Sequence, residues 1–195
     1  MPNFRVVPKI TFRNNTVVAA KARTNLKVPA GVTAYDPILV GFGDMSRLEP
    51  TTIPAPAGLT TAGADVELPG AQRVGSGLPA QYKFGGGDIV LKVEIAIYII
   101  KQYAPIPALF KRIMEHEYLH VLDYQNLAKS QITRLIEADK TLRPWLDGEP
   151  WSGSEFYDRV KDVWGTAAKK LGNVLDSGAK YDVHKREIAK LAPRI

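Results

Sequence analysis

Hydrophobic positions change their spacing about halfway along the chain, from every second residue to every third or fourth. Phe4 to Phe12 and Thr16 to Ala22 are short runs of β-branched and aromatic residues parted by Asn14-Asn15, a pair suited to a turn, and Pro37 to Phe42 reads as another short strand. The clearest strand covers Asp88 to Ile100. Val93, Ile95, Ile97 and Ile99 share one face, while Lys92, Glu94, Ala96 and Tyr98 share the other, which predicts a sheet with one buried and one wetter side. Between Leu48 and Gly87 the alternation fades. Pro50, Pro54, Pro56, Pro69 and Pro79 intersperse with Gly58, Gly63, Gly70, Gly75 and Gly77, and Gly85-Gly86-Gly87 close the stretch. A run of about forty residues without a period predicts a long ordered loop, a lid or an insertion.

Ala104-Pro-Ile-Pro107 ends the strand, and a proline is well placed in the first turn of a helix. From there Leu109, Ile113, His116, His120, Tyr124 and Leu127 recur at helical steps, with no Gly or Pro before Pro144. One long helix, or two joined near Ser130, is expected. A further helix follows Trp151-Ser-Gly-Ser154, with Ser154 as its cap and Gly178 as its stop. Its stripe runs Phe156, Val160, Val163, Trp164, Ala167, Leu171, Val174 and Leu175, and a last short helix is predicted from Asp182 to before Pro193. The expected fold class is α+β: one domain over residues 1–195, with a β-rich part, 1–100, that includes the Pro/Gly-rich loop 48–87. Its mostly antiparallel sheet is expected to pack on a helical bundle built from residues 101–195.

Composition narrows the function classes. The chain is 45% hydrophobic and 24% charged, within the range of folded proteins. Its net charge of +6 invites a nucleic-acid partner, but Lys/Arg and Asp/Glu number 10 and 7 in residues 1–100 and 16 and 13 in residues 101–195. Each half therefore carries +3 with no basic arm, and no nucleic-acid partner is expected. The most apolar stretch, Ile89 to Ile100, is too short to span a bilayer and holds Lys92 and Glu94. With no cysteine, disulfides and thiolate-bound metals are excluded. The first residues, MPNFRVVPKITF, lack the apolar core of a signal peptide.

Residues 116–120 read His-Glu-Tyr-Leu-His, the HExxH pattern. Four residues make slightly more than one helical turn, so both imidazoles leave one face about 6 Å apart along the axis. One rigid element can thus supply two nitrogens to a zinc ion. Glu117 lies about 100° further round, too far to share the ligand position yet close enough to take a proton from a water at the metal. The competing reading is a solvated helix face with two incidental histidines. A hydrolytic zinc site needs a third protein ligand and one open position. Asp123 is short and far along the helix from His116, and fits better as an acceptor for an imidazole N–H. Glu137 can serve if the helix folds back near Ser130, and Glu155 opens the next helix. His184 completes a histidine-only set with His116 and His120 and is the preferred third ligand.

The segment Asp88 to Leu191 resembles a poorly characterised group of predicted bacterial zinc proteases, zincin-like in layout. The resemblance rests on His116-Glu117-Tyr-Leu-His120 and on Tyr181-Asp182-Val-His184. That family carries a Thr and a Gly near its C-terminal His, whereas Lys185-Arg186-Glu187 follow here. Tyr181 is a candidate to donate its phenol to the developing oxyanion, against a plainer role as a packing residue. The function expected is that of a zinc peptidase acting on proteins or on cell-wall peptides, with Glu117 as the base. A toxin or secretion-system effector using the same chemistry is an alternative, and export is favoured over a cytoplasmic life. A third reading is a non-catalytic module pinned by zinc. For the peptidase, a peptide is expected to add as a strand along the edge of the sheet beside Lys92 and Glu94 and to present its carbonyl to the metal.

Overall fold

A computed structural model describes residues 4–13, 26–32, 35–48, 56–177 and 186–191. The elements in order are β1 (Phe4–Arg13), β2 (Ile38–Val40), α1 (Phe42–Leu48), β3 (Gly58–Glu67), β4 (Ala71–Val74), β5 (Gln81–Phe84) and β6 (Gly87–Ile100). There follow α2 (Pro107–Asn126), a π-helical turn (Leu127–Gln131), α3 (Ile132–Ala138), α4 (Leu142–Leu146), β7 (Trp151–Ser152) and α5 (Glu155–Ser177). Residues 186–191 are also helical. The fold is α+β, with nearly all strands before residue 101 and nearly all helices after it. The strand expected over Thr16 to Ala22 lies outside the described residues, as do Gly178 and the expected start of the last helix at Asp182.

The larger sheet corrects one expectation. It is mixed, not mostly antiparallel: β2 runs parallel to β6, with Ile38, Leu39 and Val40 opposite Tyr98, Ile99 and Ile100. Parallel neighbours need a long crossover, and the chain between Val40 and Gly87 supplies one. The expected docking edge is also corrected. β6 is central, paired with β1, β2 and β3, and Lys92 forms an ion pair with Glu67 of β3. The protein's own strands already occupy the place expected for a peptide. Burial along β6 follows this position. Lys92 and Glu94 are exposed between buried neighbours, whereas Ile95, Ala96 and Ile97 are buried in succession. Within the segment read as a loop over 48–87, the structure holds three strands, β3, β4 and β5.

The described chain divides into two compact units, neither of them a continuous stretch. One comprises Met1–Thr11, Gly63–Glu94 and Gln125–Lys170. Here β4, β5 and β7 form a small antiparallel sheet in which Ala71 faces Phe84 and Tyr82 faces Trp151. Gly70 lets two backbones meet, since a Cβ there would lie 2.3 Å from the Gly86 carbonyl oxygen. The core is aromatic. Phe156 is fully buried and stands 4.9 Å from Trp151, 6.1 Å from Trp145 and 6.3 Å from Phe84, measured between ring centroids. Each such pair adds about 0.5–1.5 kcal/mol beyond the area it buries. Asp139 ties α3 to α4, because its carboxylate accepts from the backbone N–H groups of Thr141 and Leu142 and from Arg159.

The second unit comprises Phe12–Ala62, Ile95–Tyr124 and Leu171–Ile195. Its core is formed by Met45 of α1, Ile95, Ile99 and Ile100 of β6, and Leu109, Phe110, Ile113, Tyr118 and Val121 of α2. Pro107 opens α2, with no N–H to leave unsatisfied. Every residue from Ile113 to Tyr118 is buried, so α2 is a core helix with no solvated face over that stretch. That matters because three of those six residues are Glu115, His116 and Glu117, and polar groups at such depth need partners.

Candidate metal centre

The polar side chains buried on α2 are met from three directions. Glu115 accepts the backbone N–H of Lys27 at 3.1 Å and lies 3.4 Å from Arg112. Arg112 in turn reaches Glu187 in the helix over residues 186–191. Glu117, 3% exposed, has its Oε2 2.8 Å from the hydroxyl of Thr60, itself buried near the start of β3. Its Oε1 has no hydrogen-bond partner among the described residues. The backbone of β3 passes close by at Gly58, where a Cβ would sit 2.7 Å from Oε1.

The two histidines face one point. His116 Nε2 and His120 Nε2 are 3.2 Å apart, and each is 3.6 Å from Oδ1 of Asp176, in the last turn of α5. These atoms form the one group of three potential metal donors among the described residues. Atoms at those separations lie on a circle of about 2.0 Å radius, the length of a bond from zinc to imidazole nitrogen or carboxylate oxygen. Both imidazoles are buried, whereas the Asp176 side chain is half exposed, so one side of the group faces solvent.

Local electrostatics favour a cation at this point. Burial alone pushes the His120 pKa down, but the Asp176 hydrogen bond and the charges of Glu117, Asp176 and Asp123 outweigh it, and the net shift is upward. Burial and the same three acids push the Tyr124 phenol up to about 12. Asp176 itself stands against the α5 helix dipole, whose negative end would disfavour an acid there by about 0.3–1 kcal/mol without a counter-charge. A metal ion held between the three donors would supply that charge.

Sequence reasoning named His116, Glu117 and His120, and the structure brings them together on α2. Tyr181 and His184 lie outside the described residues. Asp123 contributes charge and is not one of the three donors, and neither Glu137 nor Glu155 belongs to that group. Glu155 has a local task, accepting the Ser152 N–H at 2.9 Å. Asp176 and Thr60 went unnamed, and Gly58 figured only among the glycines of the expected loop. A signal for Asp176 was available. The buried residues of α5 are Phe156, Val160, Trp164 and Ala168, and the same four-residue count, though not the burial, runs on to Gly172 and Asp176. Compared with protein-family models, curated proteins and solved structures, the chain gives no match.

Proposed function

We infer that the protein is a metal-dependent hydrolase. One observation carries this: the Nε2 atoms of His116 and His120 and Oδ1 of Asp176 surround a point at bonding distance, with a buried carboxylate, Glu117, on the next residue of the same helix. Two imidazoles and a carboxylate suit zinc and leave a position open. The same donors also suit Fe(II). Glu117 favours hydrolysis, since neither a structural site nor an oxygen-activating one needs a carboxylate base there.

The particular reaction proposed is hydrolysis of a peptide bond, with zinc as the ion. When bound, zinc acts as a Lewis acid that polarises the scissile carbonyl and acidifies the attacking water. His116 and His120 would hold the ion from one turn of α2, and Asp176, whose side chain is half exposed, would be the third protein ligand. Glu117 takes a proton from the water as its oxygen bonds to the carbonyl carbon, then delivers that proton to the amine nitrogen as the C–N bond breaks. Burial keeps the carboxylate in a low-dielectric setting where such a transfer is effective.

The test compares zinc-loaded wild type with Glu117→Gln on internally quenched fluorogenic peptides of randomised sequence. The variant should keep one zinc per chain and lose on the order of 10²–10⁴-fold in kcat. A zinc-loaded Glu117→Gln protein with undiminished hydrolysis would overturn the mechanism. Zinc that raises the melting temperature of a protein with no hydrolytic activity would favour the non-catalytic module instead.

A further inference from the structure

The geometry points to Thr60 as a positioning residue for the base, one that orients Glu117 so that a single oxygen, Oε1, does the proton transfer. This rests on the hydrolase reading above and deepens it. Thr60 is 5% exposed and faces inward near the start of β3, with its hydroxyl 2.8 Å from Glu117 Oε2 and 3.3 Å from the Glu117 carbonyl. A hydroxyl has one proton to give. The carbonyl lies within the α2 ladder, where a carbonyl accepts from the N–H four residues on, so the proton goes to the nearer, charged carboxylate.

That bond has a directional consequence. A glutamate in a helix turns about three side-chain bonds, and a free carboxylate can offer either oxygen to the water. Here Oε2 is tied to β3, and Gly58, two residues before Thr60, leaves room for Oε1 without giving it a partner. The strand therefore holds the carboxylate at both ends of its short dimension: a donor at one oxygen and bare backbone beside the other. Oε1 accepts no hydrogen bond from the described residues, which leaves it the oxygen available to take a proton when substrate arrives. Thr60 touches neither the ion's donors nor, on this account, the substrate. It acts through Glu117.

The experiment uses full-length zinc-loaded protein, the same quenched peptides, and the variants Thr60→Val and Thr60→Ser. Valine keeps the shape and removes the hydroxyl. A hydrogen bond to a charged group contributes about 1.5–3 kcal/mol, so Thr60→Val should lower kcat by about 10–100-fold, with KM and zinc content unchanged. Thr60→Ser, which restores the donor but not the methyl, should recover most of the loss. A crystal structure of zinc-loaded Thr60→Val should show the Glu117 carboxylate turned from its wild-type orientation. Two results overturn the role: wild-type kcat in Thr60→Val, or equal impairment of the Val and Ser variants, which would mark a packing position. A wild type that hydrolyses no peptide sinks the hydrolase reading and this role with it. An active wild type with an unaffected Thr60→Val sinks the role alone.

Discussion

Gly58→Ala is the substitution for which the structure gives the sharpest expectation. A Cβ at position 58 would fall 2.5 Å from Ile113 Cγ2, 2.7 Å from Glu117 Oε1 and 3.2 Å from Glu117 Cδ. Carbon atoms rest at about 3.5–4.0 Å, so the first contact is about 1 Å too short. Neither neighbour yields cheaply. Ile113 is fully buried, and a β-branched side chain in a helix has one strongly preferred rotamer. Glu117 is tethered through its other oxygen to Thr60. The strand must back away from α2, or the carboxylate must swing, and overpacking of this kind costs about 1–3 kcal/mol. For a chain of this size a 2 kcal/mol loss lowers the melting temperature by about 4–8 °C. Displacing the base by about 1 Å should also reduce kcat by on the order of 10²-fold in zinc-loaded protein. Zinc content should hold, because the nearest atoms belong to Ile113 and Glu117 and not to the three donors. Gly63→Ala is the control. It lies on the same strand with nothing within 4 Å of its added Cβ, and should be neutral or stabilising by up to about 1 kcal/mol. Thermal unfolding of the two variants side by side decides the matter. If Gly58→Ala melts with Gly63→Ala, the close approach of β3 to α2 is not there.

Asp176→Ala should weaken zinc binding by at least 10–100-fold, on the order seen when even an outer partner of a ligand is lost, and chelator competition measures this; unchanged affinity would remove Asp176 from the ligand set. Asp139 governs a separate, pH-dependent part of stability. Its hydrogen bond from Arg159 is the largest of the influences holding its carboxyl below the usual range, and backbone N–H groups add to it. A pKa lower in the folded state means stability that is present above the unfolded value and lost as pH falls through the folded one. Asp139→Ala should therefore cost about 1–2 kcal/mol at neutral pH in urea titrations, discounted for the half-exposed Arg159, and the gap from wild type should shrink towards about pH 3. An equal gap at both pH values would mean the carboxylate charge is not what matters.

The helical half of the molecule was readable because its signals are local. Pro107 at a helix start, the regular step from Leu109 to Leu127 and the HExxH spacing require only the geometry of one helix, and α2 follows them. The break sought near Ser130 is a π-helical turn over Leu127–Gln131, where the Ser130 hydroxyl donates to the carbonyl of Asn126 at 2.6 Å. What was not readable depends on partners distant in sequence. The stretch that forms β3, Gly58 to Glu67, is GLTTAGADVE, poor in large apolar residues, and becomes a strand by pairing with β6. Gly58 and Thr60 therefore looked like loop. The direction of β2 against β6 is likewise a property of the crossover and not of the three residues Ile38–Val40. Asp176 was missed for a different reason. The stripe expected on α5 alternated three- and four-residue steps and included Val174, which is 59% exposed, while the buried ridge takes fours alone.

The position of Asp176 makes the last turns of α5 intolerant of changes in length. Asp176 meets the two imidazoles of α2 from the last turn of α5, within the second unit. One residue added or deleted between Ala168 and Asp176 would turn the carboxylate by about 100° and move it about 1.5 Å along the axis. The residue count over the last two turns of α5 is thus as much a part of the centre as the acid itself.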